Sequence, residues 1–169
     1  MHILGISPAQ VVAAADVPEF KLGTCGCLSS TNKLDAEGDK FYLYVKAGEA
    51  ITARGYLCVV DSDFVVQMVD TVSSAPGAGA GKAVGAAQAA IALNGFGWIQ
   101  TCGKGPLRTL ASAAVGTLLT SSATPGAVDD ATTVGLEVIN GLALGTATGG
   151  AAATNEDAYF TYPTVGRTL

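Results

Sequence analysis

Phe41-Tyr42-Leu43-Tyr44-Val45-Lys46 decides the fold class. Aromatic and β-branched side chains fill it, and Ala47-Gly48 punctuates its end, which is the composition of a strand. Similar short runs lie on either side. Upstream, Phe20–Ser29 (FKLGTCGCLS) alternates apolar and small residues and reads as a strand, followed by turn chemistry at Thr31–Lys40 around Asn32, Asp35, Gly38 and Asp39. Downstream, Tyr56–Asp61 and Phe64–Thr71 are two apolar runs separated by Ser62-Asp63, which predicts a hairpin. Val84–Leu93 reads as a strand despite its alanines, because Asn94-Gly95 and the strand-like Gly97–Cys102 follow it. Leu107–Leu110, Leu118–Ser121, Leu136–Leu144 and Asp157–Pro163 continue the series.

Short strands at roughly ten-residue spacing, with turn residues between them, predict a mainly β protein: a small antiparallel β-barrel or sandwich of short strands. Residues 1–19, with Pro8 and Pro18 and no clean period, are set apart as an extended N-terminal arm. Residues 20–169 form one β-rich domain, with a loop or subdomain junction near 73–81, where SSAPGAGAG reads as a flexible linker.

Composition narrows the function. Of 169 residues 14% are charged and 49% hydrophobic, yet only 7% are aromatic, and there are 22 glycines. Disordered chains are poorer in apolar residues and richer in charge, and coiled coils need abundant Glu, Lys and Arg. The net charge is −5 and the nine basic residues are scattered singly, so no nucleic-acid partner is expected. No stretch approaches the apolar length of a spanning helix, so no membrane partner is expected either. Ala13-Ala14-Ala15 resembles a signal-peptidase site, but no Lys or Arg precedes it and Pro8 and Gln10 break the apolar run.

Chemistry-bearing motifs fall away one by one. In Gly77–Lys82 (GAGAGK), Pro76 stands where a phosphate loop needs its first glycine and Ala83 where it needs a hydroxyl. His2, the sole histidine, stands near the start of the sequence and is poorly placed to serve a Ser-His-Asp or Cys-His set. Asp61/Asp63, Asp129/Asp130 and Glu156/Asp157 fall at expected turns, where carboxylates cap backbone amides in water. Cys25 and Cys27 share a face if strand, and with Cys58 and Cys102 they read as small apolar residues with free thiols. The chain is therefore expected to be no enzyme, with no catalytic residues, cofactor or metal. Phe96 and Trp98, set among glycines, read first as core anchors and second as subunit-contact anchors.

These runs also stand in a recognisable order. Phe20–Thr24, Phe41–Thr52, Lys82–Ala87 leading into Gly97-Trp98-Ile99-Gln100 and Gly103, then Gly116–Leu119, Gly126–Asp130 and the closing strand resemble the capsid decoration (cement) and head-fibre-base proteins of tailed bacteriophages. The stretch Val84–Gly103 carries most of the resemblance, while Cys25, Cys27 and Cys58 lie outside its pattern. The resemblance implies a structural virion protein on the capsid exterior, trimeric with itself and bound to the major capsid protein. Candidate contact residues are Ile3, Leu4, Ile6, Val11, Val12 and Val17 of the arm, with Phe96 and Trp98. The alternative is an adhesion or carbohydrate-binding β-module using Tyr42, Tyr44, Tyr159 and Tyr162 as an aromatic platform.

Overall fold

The computed structural model describes residues 2–4 by their backbone, and residues 6–29, 38–145 and 153–169 in full. Among the described residues there is no helix. Eleven strands make one mixed sheet: β1 (His2–Leu4), β2 (Cys25–Leu28), β3 (Lys40–Ala47), β4 (Leu57–Val60), β5 (Val65–Met68), β6 (Val84–Ala87), β7 (Phe96–Thr109), β8 (Thr120–Ser121), β9 (Val128–Asp129), β10 (Glu137–Leu144) and β11 (Thr154–Thr168). The mainly β class expected from the sequence is what the chain adopts. The sheet is mixed rather than wholly antiparallel, because β1–β2, β3–β5 and β7–β9 pair in parallel.

The pairings close on themselves twice. β3, β5, β4, β6 and the first half of β7 run round one circuit, and β7, β11, β10, β8 and β9 run round a second. Closing a sheet in this way satisfies backbone groups that an open edge would expose. β7 is the shared strand. Its residues 96–102 pair with β3 and its residues 102–109 with β11. The sequence suggested two separate strands there, Gly97–Cys102 and Leu107–Leu110. They are continuous because Gly103, at φ +90°, bends the strand without ending it. A Cβ at Gly103 would stand 2.5 Å from the Asp39 carbonyl oxygen, so the bend requires glycine. Thr101 is an extra residue opposite β3, since Phe41 pairs with Cys102 but Tyr42 with Gln100. The buried Gln100 amide offsets the irregularity by donating to the Cys102 and Lys104 carbonyls at 3.2 and 3.1 Å.

Alternation along the strands sorts side chains into three cores. Leu43 and Val45 of β3, Cys58 and Val60 of β4 and Ile99 of β7 face the interior of the first circuit. Leu57, Val59, Val84 and Ala86, on the opposite faces of β4 and β6, pack against Leu107, Ile139, Phe160 and Val165 of the second. Tyr42, Tyr44, Phe96 and Trp98 form the third, on the outer face of β3 and β7, under the N-terminal segment. Each fully buried large side chain contributes about 1.5–3 kcal/mol.

Several expected elements are redrawn. The Phe20–Ser29 strand begins only at Cys25, because Lys21–Thr24 closes a turn in which Gly23 has φ +80°. Val84–Leu93 is strand only to Ala87; beyond it the chain turns, and Ile91 makes a single bridge to Ile51. The Tyr56–Thr71 hairpin forms as expected, with Asp61 Oδ1 accepting from the Asp63 and Val65 amides. Glu156 and Asp157 are not at a turn. β11 starts at Thr154 because it pairs with β7, and Asp157 meets Lys104 at 2.8 Å. Residues 73–81 are a hydrogen-bonded loop rather than a flexible linker: Ser74 is buried, Gly79 N donates to Ala75 O, and Gly81 N donates to Val165 O across to β11. Most of the expected turn at Thr31–Lys40 lies outside the described residues.

Candidate functional site

The N-terminal segment crosses the outer face of the first circuit as a strap. β1 pairs in parallel with β2, Ile6 is buried among the aromatic residues of β3 and β7, and Val12 exchanges backbone hydrogen bonds of 2.9 and 2.8 Å with Phe96. Gly26 is needed beneath it, since a Cβ there would stand 2.5 Å from the Ile6 side chain. Between and beyond these anchors the strap is exposed. Val11 is 42% and Val17 86% accessible, and Ala13–Ala15 lie in solvent.

The sequence-proposed contact residues thus divide into three groups. Ile3 and Leu4 lie in β1, where only the backbone is described. Ile6, Phe96 and Trp98 are interior: they hold the strap to the body, and their surfaces are covered by this chain itself. Val17 faces outward, Val11 is partly exposed with one methyl over Gly97 of β7, and Val12 is half-buried. The aromatic cluster is dense. Trp98 lies 5.0 Å from Tyr44 and 5.2 Å from Phe20 between ring centroids, and Phe20 meets Tyr44 edge-on at 5.3 Å. Burial raises the Tyr44 hydroxyl above its ordinary pKa, against the lowering effect of the hydrogen bond it accepts from Glu19 N. Tyr42 and Tyr44 are buried, so the four-tyrosine platform does not form. Both point to the outer face of β3, where strap and Phe20 cover them, and only Tyr159 and Tyr162 remain at the surface.

A second feature lies between the two circuits. Tyr162 has a left-handed backbone, φ 51°, where β11 carries extra residues against β10. It flanks an apolar groove of about 270 Å³ lined by Cys25, Leu43, Val84, Thr101 and Pro163. Register puts Cys25, Cys27 and Cys102 on one face, because Cys27 and Cys102 are both paired with Phe41 and Cys25 with Leu43. Tyr162 is largely exposed; partial desolvation first, then Cys102, raises its pKa. Burial, with Asp39 and Cys102 nearby, likewise raises the Cys27 thiol, so it is protonated at neutral pH. All four cysteines are free. Among the described residues no group of three or more His, Cys, Asp or Glu is arranged to hold a metal ion, and no helix is long and apolar enough to cross a membrane.

Further apolar side chains are presented by loops at the β8–β10 end: Val115, Leu118 and Val134, at 53, 56 and 86% accessibility. Asp130 ties these loops together by accepting from Ala114 N at 3.0 Å. Both strap and loops offer apolar contact area held by a stiff β framework. Compared with known proteins, the chain matches no family model, no curated protein and no solved structure.

Proposed function

We propose that the protein is a structural virion protein that decorates the outer surface of an icosahedral phage capsid and stabilises it by bridging major capsid subunits, itself assembled as a trimer. The observation that carries this reading is the strap: it is anchored at Ile6 and Val12, yet presents Val17 and part of Val11 to solvent. Isolated apolar side chains at a surface are ordinary. Here they lie on a segment tied down at Ile6, Val12 and Glu19, so a partner that covers them meets a reduced ordering cost. Contact area on a rigid body is what a clamp needs, since each small interface is multiplied over many copies.

The test keeps the anchors and alters the outward face. Val11→Asp and Val17→Asp together keep every aromatic side chain and Ile6 in place, whereas deleting residues 1–19 would uncover the aromatic core. The double variant is expected to retain its β circular dichroism spectrum but no longer co-sediment with empty phage heads that bind the wild type. Undiminished co-sedimentation of the double variant removes the strap from the contact. Failure of the wild type to bind any such heads overturns the reading itself.

A further inference from the structure

Beneath the strap the fit is incomplete. A cavity of about 290 Å³ remains between Pro8 and Ala9 of the strap and Tyr42, Arg54 and Gln88 of the body. Gln88 and Tyr42 are each more than nine-tenths buried, at 6% and 4% accessibility, while Arg54 stands exposed at the rim. The Gln88 amide is oriented: its Nε2 donates to the Ala86 carbonyl at 3.0 Å, which leaves the side-chain oxygen as an acceptor. Among the described residues Arg54 is the one cationic side chain that lines the cavity, and the backbone beside it is pinned. Arg108 N donates to Gly55 O, the residue after Arg54, and the Arg108 guanidinium stacks 4.7 Å over the Tyr56 ring. In a chain with nine basic residues and a net charge of −5, Arg54 gives this cavity a local positive charge. Of the neighbouring carboxylates on β11, Asp157 is already engaged by Lys104.

We propose that this cavity binds a sugar-sized hydroxy acid, with its carboxylate against Arg54 and a hydroxyl donating to Gln88. The guanidinium is charged at every accessible pH and presents paired N–H groups that match a carboxylate. The Gln88 oxygen can accept from a donor, which a simple carboxylate lacks and a hydroxyl supplies. Pro8, Ala9 and the Tyr42 ring give the apolar walls against which the C–H face of a sugar ring packs. The volume lies just under the range usual for ligand pockets and suits one ring. Such an acid comes either as a free molecule or as a uronic-acid residue of a polysaccharide, and the chemistry recognised is the same.

The experiment is an NMR titration of the full isotope-labelled chain with D-glucuronate, glucose and propionate. Saturable shifts of the Arg54 and Gln88 side-chain signals are expected with glucuronate. Glucose lacks the carboxylate and propionate the hydroxyls, so each should bind at least about tenfold more weakly. Arg54→Gln, at an exposed position, should keep the wild-type Tm and lose glucuronate binding by a similar factor. Equal affinity for glucose and glucuronate, binding untouched by Arg54→Gln, or no saturation at all would overturn the assignment. A glucuronate-containing disaccharide that binds as tightly as the monosaccharide supports it with a polysaccharide as the source; binding of the monosaccharide alone supports it with a free acid. Arg54→Gln leaves Val11 and Val17 in place, so acid binding and capsid association can fail independently.

Discussion

Cys58 shows how far burial alone can act on one side chain. It is fully enclosed in the first core, and desolvation, with a smaller contribution from Glu49, pushes its thiol well above the ordinary 9.0. The unfolded thiol ionises above about pH 9 while the folded one stays protonated. The unfolded chain then holds fewer protons, so stability is flat with pH below that point and falls as pH rises beyond it. Cys27, Tyr44 and Tyr162 are shifted in the same direction and add to the decline. Thermal melts across the alkaline range should show a shallower fall of Tm for Cys58→Ala than for wild type; identical slopes would refute this account. Gly103 is the second residue on which much depends. Gly103→Ala is expected to cost more than about 1 kcal/mol, since it adds left-handed strain to a clash with the Asp39 carbonyl. Gly77→Ala, with nothing within 4 Å and an ordinary φ, should be near neutral by the same urea titration.

Among the elements, the strap depends on a single large anchor. Ile6 packs on Gly26 and Trp98 in the aromatic layer, so Ile6→Ala opens a cavity there and should destabilise by about 2 kcal/mol or more. Trp98 is the only tryptophan, which gives a direct readout. Its emission should shift to the red if the strap lifts; an unchanged spectrum with unchanged stability would mean that the strap is not held by Ile6. β7 is the other decisive element, because its two halves belong to different circuits and meet at Gly103.

At the scale of the whole molecule, the shared strand and the shared walls of β4 and β6 couple the circuits. The three cores lie on opposite faces of the same strands, so losing one removes support from the next. Unfolding should therefore be a single cooperative transition, with Trp98 fluorescence and far-ultraviolet circular dichroism superimposing. Ile99→Ala, in the first core, and Leu107→Ala, in the second, should each move that one transition to lower denaturant without splitting it. Two separated transitions would show the circuits to be independent folding units.

The sequence by itself determined the class and the local grammar of this protein. FYLYVK read as strand, the Ser62-Asp63 spacing made a hairpin, and the regular spacing of short runs and turn residues showed that the fold is mainly β. These properties are short-range, set by side-chain shape and turn chemistry within a few residues. Tertiary structure decided the rest. Whether Tyr42 and Tyr44 face solvent depends on the strap lying across them, and the strap is held by residues as distant as Phe96. The expected strands Gly97–Cys102 and Leu107–Leu110 are one, bent at Gly103, because β11 is waiting to pair with the second half. Glycine marks a change of direction in the chain, but the partner that makes use of the new direction is not written beside it. The cavity of Tyr42, Arg54 and Gln88 was illegible for the same reason: its residues belong to β3, to the turn before β4 and to the turn after β6, and only long-range strand pairing brings them together.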